Sequence, residues 1–63
     1  MHLYMLYCLT THRAFLWHSP KRDDTAAVAK AKTLLVKGGH GKLYKGPTGV
    51  DEMDFLENVY GPL

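Results

Sequence analysis

The sequence predicts an α+β fold: a small three-stranded antiparallel sheet in the strand order 2-1-3, one main helix on one face, and a short C-terminal helix. Two observations carry this prediction. Short segments rich in β-forming residues occur at 3–10 and 13–18, and an alanine-rich segment without Gly or Pro runs from 25 to 37. The elements therefore follow one another in the order β-β-α-β-α.

The first two predicted strands, 3–10 and 13–18, form a hairpin. We expect a tight turn at residues 11–12, which sets Leu9 opposite Ala14. Because side chains alternate along a strand, this pairing divides the hairpin into two faces, and both are apolar. One face consists of Tyr4, Leu6, Cys8, Phe15 and Trp17, and the other of Met5, Tyr7, Leu9, Leu16 and His18.

The segment 25–37 is predicted to be the main helix. Asp23 or Asp24 precedes it and can accept hydrogen bonds from the free N–H groups of the first turn. Gly38 follows as a C-cap, since glycine adopts the left-handed conformation without steric cost. One stripe at helical spacing is apolar, so we expect it to pack on the first face of the hairpin, with Leu34 and Trp17 in the core. The stripe consists of Ala27, Val28, Ala31, Leu34 and Leu35.

The remainder of the chain is predicted to hold a short strand at 42–45, a turn at 46–49 and an acidic C-terminal segment, 51–63. A flexible Gly-His-Gly link precedes the strand. A right-handed crossover through the main helix brings this strand beside the first one, which gives the order 2-1-3. The acidic segment is predicted to be helical over 51–60. Its apolar stripe consists of Met53, Leu56 and Tyr60.

Length and composition limit the class of protein. With 63 residues, 46% hydrophobic and 22% charged, we expect residues 1–63 to form a single domain rather than a disordered tail, a multi-domain enzyme or a cofactor-binding fold. No apolar run approaches the ~20 residues of a membrane span. Cys8 is the only cysteine, and no basic residue precedes the apolar N-terminal stretch. We therefore expect a reducing, cytoplasmic setting without a signal peptide.

The charge of the chain is divided unevenly. Residues 1–50 hold all eight basic residues and two acidic ones, a balance of +6, whereas residues 51–63 hold four acidic residues and no basic one, a balance of −4. We expect the acidic tail to lie near basic residues of the body. Exposed ion pairs contribute little to stability, so the apolar stripe of the tail has to attach it.

The segment 38–42 contains the residue types of a phosphate-binding loop in the wrong context. The Walker pattern requires Gly where this chain has Val36, and Ser or Thr where it has Leu43. It also requires a strand before the loop and a helix after it, which is the reverse of the predicted order. A helix cap and linker is the favoured interpretation, and anion binding by the loop stays open.

No residue pattern in the chain predicts catalysis, a metal or a cofactor. The four histidines do not pair at the helical i, i+4 spacing, and there is no Cys-x-x-Cys. Cys8 falls within the central strand, where a thiol behaves as a small apolar group. We predict a non-enzymatic protein. A small metal-independent nuclease or toxin is a third hypothesis, because His, Lys, Arg and Tyr are all present.

The surplus apolar face of the hairpin is the main functional observation. One helix covers one face of a small sheet, so the second face requires the acidic C-terminal helix, a second copy of the chain or another protein. We expect a protein-binding module of the kind with which a phage or mobile element binds and inhibits a host protein. No membrane partner is expected. The candidate partner-binding residues are Met5, Tyr7, Arg13, Leu16, His18, Lys42, Lys45, Asp51, Glu52, Asp54, Phe55 and Glu57.

Nucleic-acid binding is the alternative hypothesis. Aromatic residues on a sheet next to lysine and arginine are what single-stranded nucleic acid requires for stacking and phosphate contact. The predicted strands carry Tyr4, Tyr7, Phe15 and Trp17, and the body has a balance of +6. The characteristic sheet motif of RNA-recognition domains is absent.

Overall fold

The described part of the chain contains four strands and one helix in the order β-β-α-β-β. A computed structural model describes residues 2–46 and 53–62. The strands form one antiparallel sheet in the order β2-β1-β3-β4. No helix among these residues is long and apolar enough to cross a membrane. The elements are β1 (His2–Cys8), β2 (Arg13–Ser19), α1 (Asp24–Leu34), β3 (His40–Gly46) and β4 (Asp54–Tyr60).

The prediction of three strands and two helices is wrong at the C-terminal end. Residues 54–60 form an edge strand beside β3 instead of a helix. Val59 of this strand is 1% exposed, so β4 is part of the core. Asp51 and Glu52, at the start of the predicted helix, lie outside the described residues, as does most of the predicted turn at 46–49. The predicted order 2-1-3 is present within the larger sheet.

A β-bulge explains why β4 resembles a helix in the sequence. Leu43 pairs with Glu57, whereas the next residue, Tyr44, pairs with Phe55, so Leu56 is an extra residue on β4. The extra residue interrupts the alternation that marks a strand. The apolar residues of β4 are Phe55, Leu56, Val59 and Tyr60. Leu56 and Tyr60 are four residues apart, and with Met53, which precedes the strand, they gave the predicted helical stripe.

The β1–β2 hairpin has the predicted faces but not the predicted register. Tyr7, rather than Leu9, pairs with Ala14, and the connection comprises residues 9–12 instead of a tight two-residue turn. A shift of two residues leaves the paired side chains on their predicted faces, because the side-chain period of a strand is 2. Leu9, predicted for the second face in a strand that runs to residue 10, lies instead in the connection. The division into two apolar faces is therefore correct although the pairing is wrong.

Helix α1 begins as predicted and ends three residues early. Asp23 is the N-cap, and its carboxylate accepts a hydrogen bond from a backbone N–H of the first turn at 3.0 Å. The predicted helix 25–37 is interrupted because Leu35 has an extended backbone, with φ −87° and ψ 145°. Gly38 does adopt a positive φ of 73°, but it lies in the following loop and is not the C-cap.

Strand β3 begins earlier than predicted. His40 and Gly41, expected in a flexible link, are the first residues of the strand. A Cβ at position 41 would come within 2.7 Å of Leu6 Cδ1 and 3.1 Å of Leu35 Cδ2. Glycine therefore lets β3 close against β1 beneath the end of the helix.

The core lies between α1 and one face of the sheet. Tyr4, Leu6 and Cys8 of β1 face the helix and are at most 1% exposed, and Ala27 and Ala31 let the helix approach them closely. Trp17 and Leu34, expected in the core, are half-buried and pack at its margin. The core cluster consists of Tyr4, Leu6, Cys8, Ala27, Ala31, Leu35, Leu43 and Val59.

The burial pattern predicts different costs for two leucine truncations. Leu43 is 0% exposed, so Leu43→Ala should lower the free energy of unfolding by about 2–5 kcal/mol. Leu34 is half-buried at the margin, so Leu34→Ala should cost clearly less. Chemical denaturation of both variants compares the two values. An equal or larger cost at Leu34 would contradict the position of the core.

Candidate functional site

The face of the sheet opposite α1 is the candidate site, and we name it the open face. Strand pairing defines its members, since residues that pair across strands point to the same side. Leu3 also points to this side but is buried, at 4% exposed. The open face consists of Met5, Tyr7, Ala14, Leu16, His18, His40, Lys42, Tyr44, Phe55, Asn58 and Tyr60.

An apolar row crosses all four strands on the open face. Leu16 of β2 pairs with Met5 of β1, Met5 with Tyr44 of β3, and Tyr44 with Phe55 of β4. The Tyr44 and Phe55 rings meet edge to face, with centroids 5.7 Å apart. Leu16 is 52% and Phe55 50% exposed. The ends of the row are therefore open to a partner, while its centre is half-buried.

The opposite end of the open face carries aromatic and polar groups held by local contacts. The His40 ring stacks on the Tyr60 ring with centroids 4.7 Å apart. His40 Nε2 and Asn58 Oδ1 are hydrogen-bonded at 3.0 Å, which fixes the plane of the imidazole. Tyr60 is 63% exposed. This pair of β3 and β4 residues thus presents an oriented aromatic surface rather than a freely rotating side chain.

Among the residues that the structure describes, the open face carries one lysine and no carboxylate. Lys42 pairs with Tyr7 and lies on this face. Asp54 pairs with Lys45 and Glu57 with Leu43, so both acidic side chains of β4 point to the helix side. The two other described carboxylates belong to the start of α1. The open face is therefore apolar and weakly basic.

The sequence-predicted partner-binding residues fall into three groups. Those on the open face are Met5, Tyr7, Leu16, His18, Lys42 and Phe55. Those on the helix side are Arg13, Lys45, Asp54 and Glu57. Asp51 and Glu52 lie outside the described residues. The structure brings the first group together and separates it from the second.

Five open-face residues are not among those predicted from the sequence: Ala14, His40, Tyr44, Asn58 and Tyr60. Alternation along the third predicted strand sets Tyr44 on the same side as Lys42, a predicted member, and this was the available signal for Tyr44. The sequence predicts a flexible link at His40 and places Tyr60 in the stripe of a C-terminal helix. The β-formers Phe55, Val59 and Tyr60 were the available signal for a fourth strand.

A polar cluster on the helix side joins β1 to the start of α1. The Tyr4 hydroxyl donates a hydrogen bond to Asp24 Oδ1 at 2.9 Å and accepts one from the Asp23 backbone N–H at 3.1 Å. Arg22 Nη2 lies 3.3 Å and Lys45 Nζ 3.8 Å from Asp24 Oδ2. Burial, and then the hydrogen bond to Asp24, raise the pKa of Tyr4 above its ordinary value.

A cavity of about 240 Å³ adjoins this cluster. Two cations, two carboxylates and a histidine lie in or beside it, so its positive charges are already compensated. Asp24 forms ion pairs with both Arg22 and Lys45. The cavity therefore has no surplus positive charge with which to bind an anion. The lining residues are His2, Tyr4, Arg22, Lys45, Gly46 and Asp54.

The glycine-rich segment 38–42 does not form an anion cradle. Its first three backbone N–H groups, those of Gly38, Gly39 and His40, donate to acceptors within the chain. These acceptors are Pro62 O at 2.7 Å, Val36 O at 2.8 Å and Thr10 Oγ1 at 3.2 Å. Gly41 and Lys42 then pair with β1. The loop therefore ties the C-terminal residues and the β1–β2 connection together.

The described residues hold no metal cluster and no exposed nucleophilic thiol. No three His, Cys, Asp or Glu side chains among them are placed to bind a metal ion. Hydrogen bonding by the Thr11 side chain lowers the pKa of the Cys8 thiol more than burial raises it. Cys8 is nevertheless 1% exposed, and a nucleophilic thiolate has to be accessible to its substrate.

Comparisons with protein families, with curated proteins and with solved structures find no match to this chain. Its function is therefore inferred from the geometry of the open face and of the polar cluster.

The Tyr4 network predicts a stability change with pH. Tyr4→Phe removes two hydrogen bonds of a buried hydroxyl and should lower the free energy of unfolding by about 1–2 kcal/mol at neutral pH. Because the folded state raises the pKa of Tyr4, its contribution is complete below the ordinary value of 10.0 and is lost as pH rises beyond it. Denaturant unfolding across an alkaline pH series measures both effects.

The matched control is Tyr7→Phe, whose hydroxyl is exposed and lies 3.5 Å from His12 Nδ1. This variant keeps Tyr4, so it should remain near wild-type stability and retain the alkaline loss. Equal destabilisation of the two variants, or an unchanged alkaline loss in Tyr4→Phe, would contradict the assigned role of Tyr4.

Proposed function

We propose that this chain is a small non-enzymatic binding module that docks the open face of its sheet on another protein. The carrying observation is the exposure of three large apolar side chains on that one face: Leu16 at 52%, Phe55 at 50% and Tyr60 at 63%. An antiparallel sheet that faces water usually alternates apolar-in with polar-out. Here the β1 side chains on the open face, Met5 and Tyr7, are as apolar as those that face the helix. Such a surface favours an interaction site that a partner covers.

The composition of the open face supports a protein partner. The centres of protein interfaces are enriched in Tyr, Phe and Met and depleted in charged residues. The open face has three tyrosines, a phenylalanine and a methionine, and a single lysine is its one formal charge among the described residues. The edge-to-face contact of Tyr44 with Phe55 and the stacking of His40 on Tyr60 orient these groups before binding, which lowers the entropic cost of association.

The distribution of cations argues against the nucleic-acid alternative. Stacking of single strands requires basic groups beside the aromatic platform. Lys30 and Lys32 belong to α1, on the far side of the sheet, and Lys30 Nζ lies 5.1 Å from the centroid of the core-side Trp17 ring. Arg22 and Lys45 are engaged with Asp24. Of the cations described, Lys42 alone lies on the open face, and the open-face aromatic rings therefore lack the row of basic groups that phosphate contact requires.

The partner that fits the open face has an apolar surface with one or two acceptor groups. Lys42 and His18 can donate hydrogen bonds to carboxylates or carbonyls beside the apolar row. A partner rich in basic residues would be repelled by Lys42, because the described residues of the open face include no carboxylate to offset this charge. Inhibition of a host protein in the cytoplasm is the setting that we propose for this contact.

Truncation of two exposed aromatic residues tests the proposal. Phe55→Ala combined with Tyr60→Ala removes open-face area at positions that are half-exposed or more, so the fold should be retained. Nuclease-treated lysate of the source cells is passed over the immobilised chain, and captured proteins are identified and cross-linked. We expect a captured protein whose cross-links map to the open face and whose recovery falls at least tenfold with the double variant.

The matched control is Val36→Ala, because Val36 is 47% exposed but lies outside the open face. It should leave capture unchanged. Capture that ignores the double variant would overturn the proposal. Salt-sensitive binding of single-stranded oligonucleotides that is lost with Phe55→Ala would replace it with the nucleic-acid alternative.

A further inference from the structure

We propose that two copies of this chain pair antiparallel through the outer edges of β2, which makes one continuous eight-stranded sheet. The inference goes beyond the proposed docking function, because it concerns the edge of the sheet and not its open face. Edge strands carry backbone N–H and C=O groups that point away from the sheet and can pair with another strand.

The two edges of the sheet differ in their protection. Strand β4 has a bulge at Leu56 and two acidic residues, Asp54 and Glu57, which are recognised devices against edge pairing. Strand β2 pairs with β1 in one unbroken register over its seven residues. Between its terminal residues, Arg13 and Ser19, it contains no charged residue, no proline and no bulge. Of the two edges, only β2 is suited to accept another strand.

The core is unfinished along β2. Phe15 and Trp17 point to the helix side, where they pack against the core cluster but remain half-buried. The strand that α1 approaches most closely is β4, at the far edge of the sheet. Tyr4 stacks on Trp17 from within the sheet, with ring centroids 5.8 Å apart. On the helix side of the sheet, β2 therefore carries two aromatic side chains without full cover.

A second copy complements this edge through two-fold symmetry. The middle residue of β2 is Leu16, and a two-fold axis there sets Leu16 opposite Leu16 of the second copy. Phe15 then faces the second copy's Trp17 on the helix side, and such cross-strand aromatic pairs stabilise sheets. Arg13 faces Ser19, so no like charges meet. The middle residue of β4 is Glu57, and the same operation there would oppose two carboxylates.

Pairing also enlarges the open face. Four strands of seven residues span roughly 23 by 19 Å, a flat area of about 440 Å². A standard interface buries ~800 Å² on each partner. Two copies joined at β2 turn their open faces to the same side, since paired residues share a face, and the combined area reaches the standard size. Edge pairing thus supplies the area that one copy lacks.

Charge complementation at Leu16 tests the proposal on the full chain. Sedimentation equilibrium from micromolar to millimolar concentration should detect a dimer of the 7.1 kDa chain. Leu16→Lys and Leu16→Glu each place like charges on the two-fold axis, so each should weaken self-association by roughly tenfold or more. An equimolar mixture of the two variants should recover association, because lysine then faces glutamate. Circular dichroism confirms that both variants fold.

The control is Phe55→Lys, because Phe55 is 50% exposed, close to the 52% of Leu16, but lies on β4. It should leave the dimer intact. Three results would overturn the proposal: a monomer at every concentration, no recovery in the mixture, or a dimer that Phe55→Lys disrupts as strongly as Leu16→Lys. The last would identify stacking of two open faces instead. If the chain is monomeric at every concentration and still captures a partner through its open face, the dimer proposal fails while the docking proposal stands.

Discussion

A single short helix has to cover a four-stranded sheet that is apolar on both faces. Helix α1 has 11 residues and is therefore roughly 16 Å long, enough for one face. Tyr4, Leu6 and Cys8 turn toward it and are at most 1% exposed. The alternate residues of the same strand, Met5 and Tyr7, turn the other way. The closed core and the open face are thus two consequences of one strand whose side chains are apolar on both sides.

Strand β4 makes the candidate site inseparable from the stability of the fold. Its Val59 is buried in the core, while Phe55 and Tyr60 form one end of the open face. Gly61, the residue after β4, also helps to hold the fold together, since its N–H donates a hydrogen bond to Gly39 O at 2.9 Å. Removing residues 51–63 would therefore take away core and docking surface together. Point variants on exposed side chains are the appropriate means of separating the two.

The sequence was informative where a pattern was uninterrupted. The faces of the hairpin followed from alternation, and the N-cap and apolar stripe of α1 followed from Asp23 and helical spacing. It misled where a local irregularity changed the spacing. The bulge at Leu56 converted a strand pattern into an apparent helical stripe, and the extended backbone at Leu35 ended the helix before Gly38. The bulge is a feature of the pairing of β4 with β3, and no local propensity records it.

The candidate site was likewise predictable where a sequence pattern was uninterrupted, and not where it depended on strand pairing. The surplus apolar face was predictable from β1 and β2 alone, so Met5, Tyr7 and Leu16 were identified correctly as its members. The aromatic residues of β3 and β4 joined it only through strand pairing. The charged residues were predicted less well. Composition grouped Lys45, Asp54 and Glu57 with the site, but strand pairing places their side chains on the helix side. Residue type therefore predicted the character of the face, and topology determined its membership.

The most direct test of this account is the solvent exposure of the two faces in the isolated chain. Paramagnetic relaxation of side-chain NMR signals by a soluble, uncharged gadolinium chelate measures it residue by residue. We predict strong relaxation at Leu16, Phe55 and Tyr60, and protection at Leu6, Leu43 and Val59. Equal protection of both sets would mean that the chain covers its own second face, which would contradict the existence of a free docking surface.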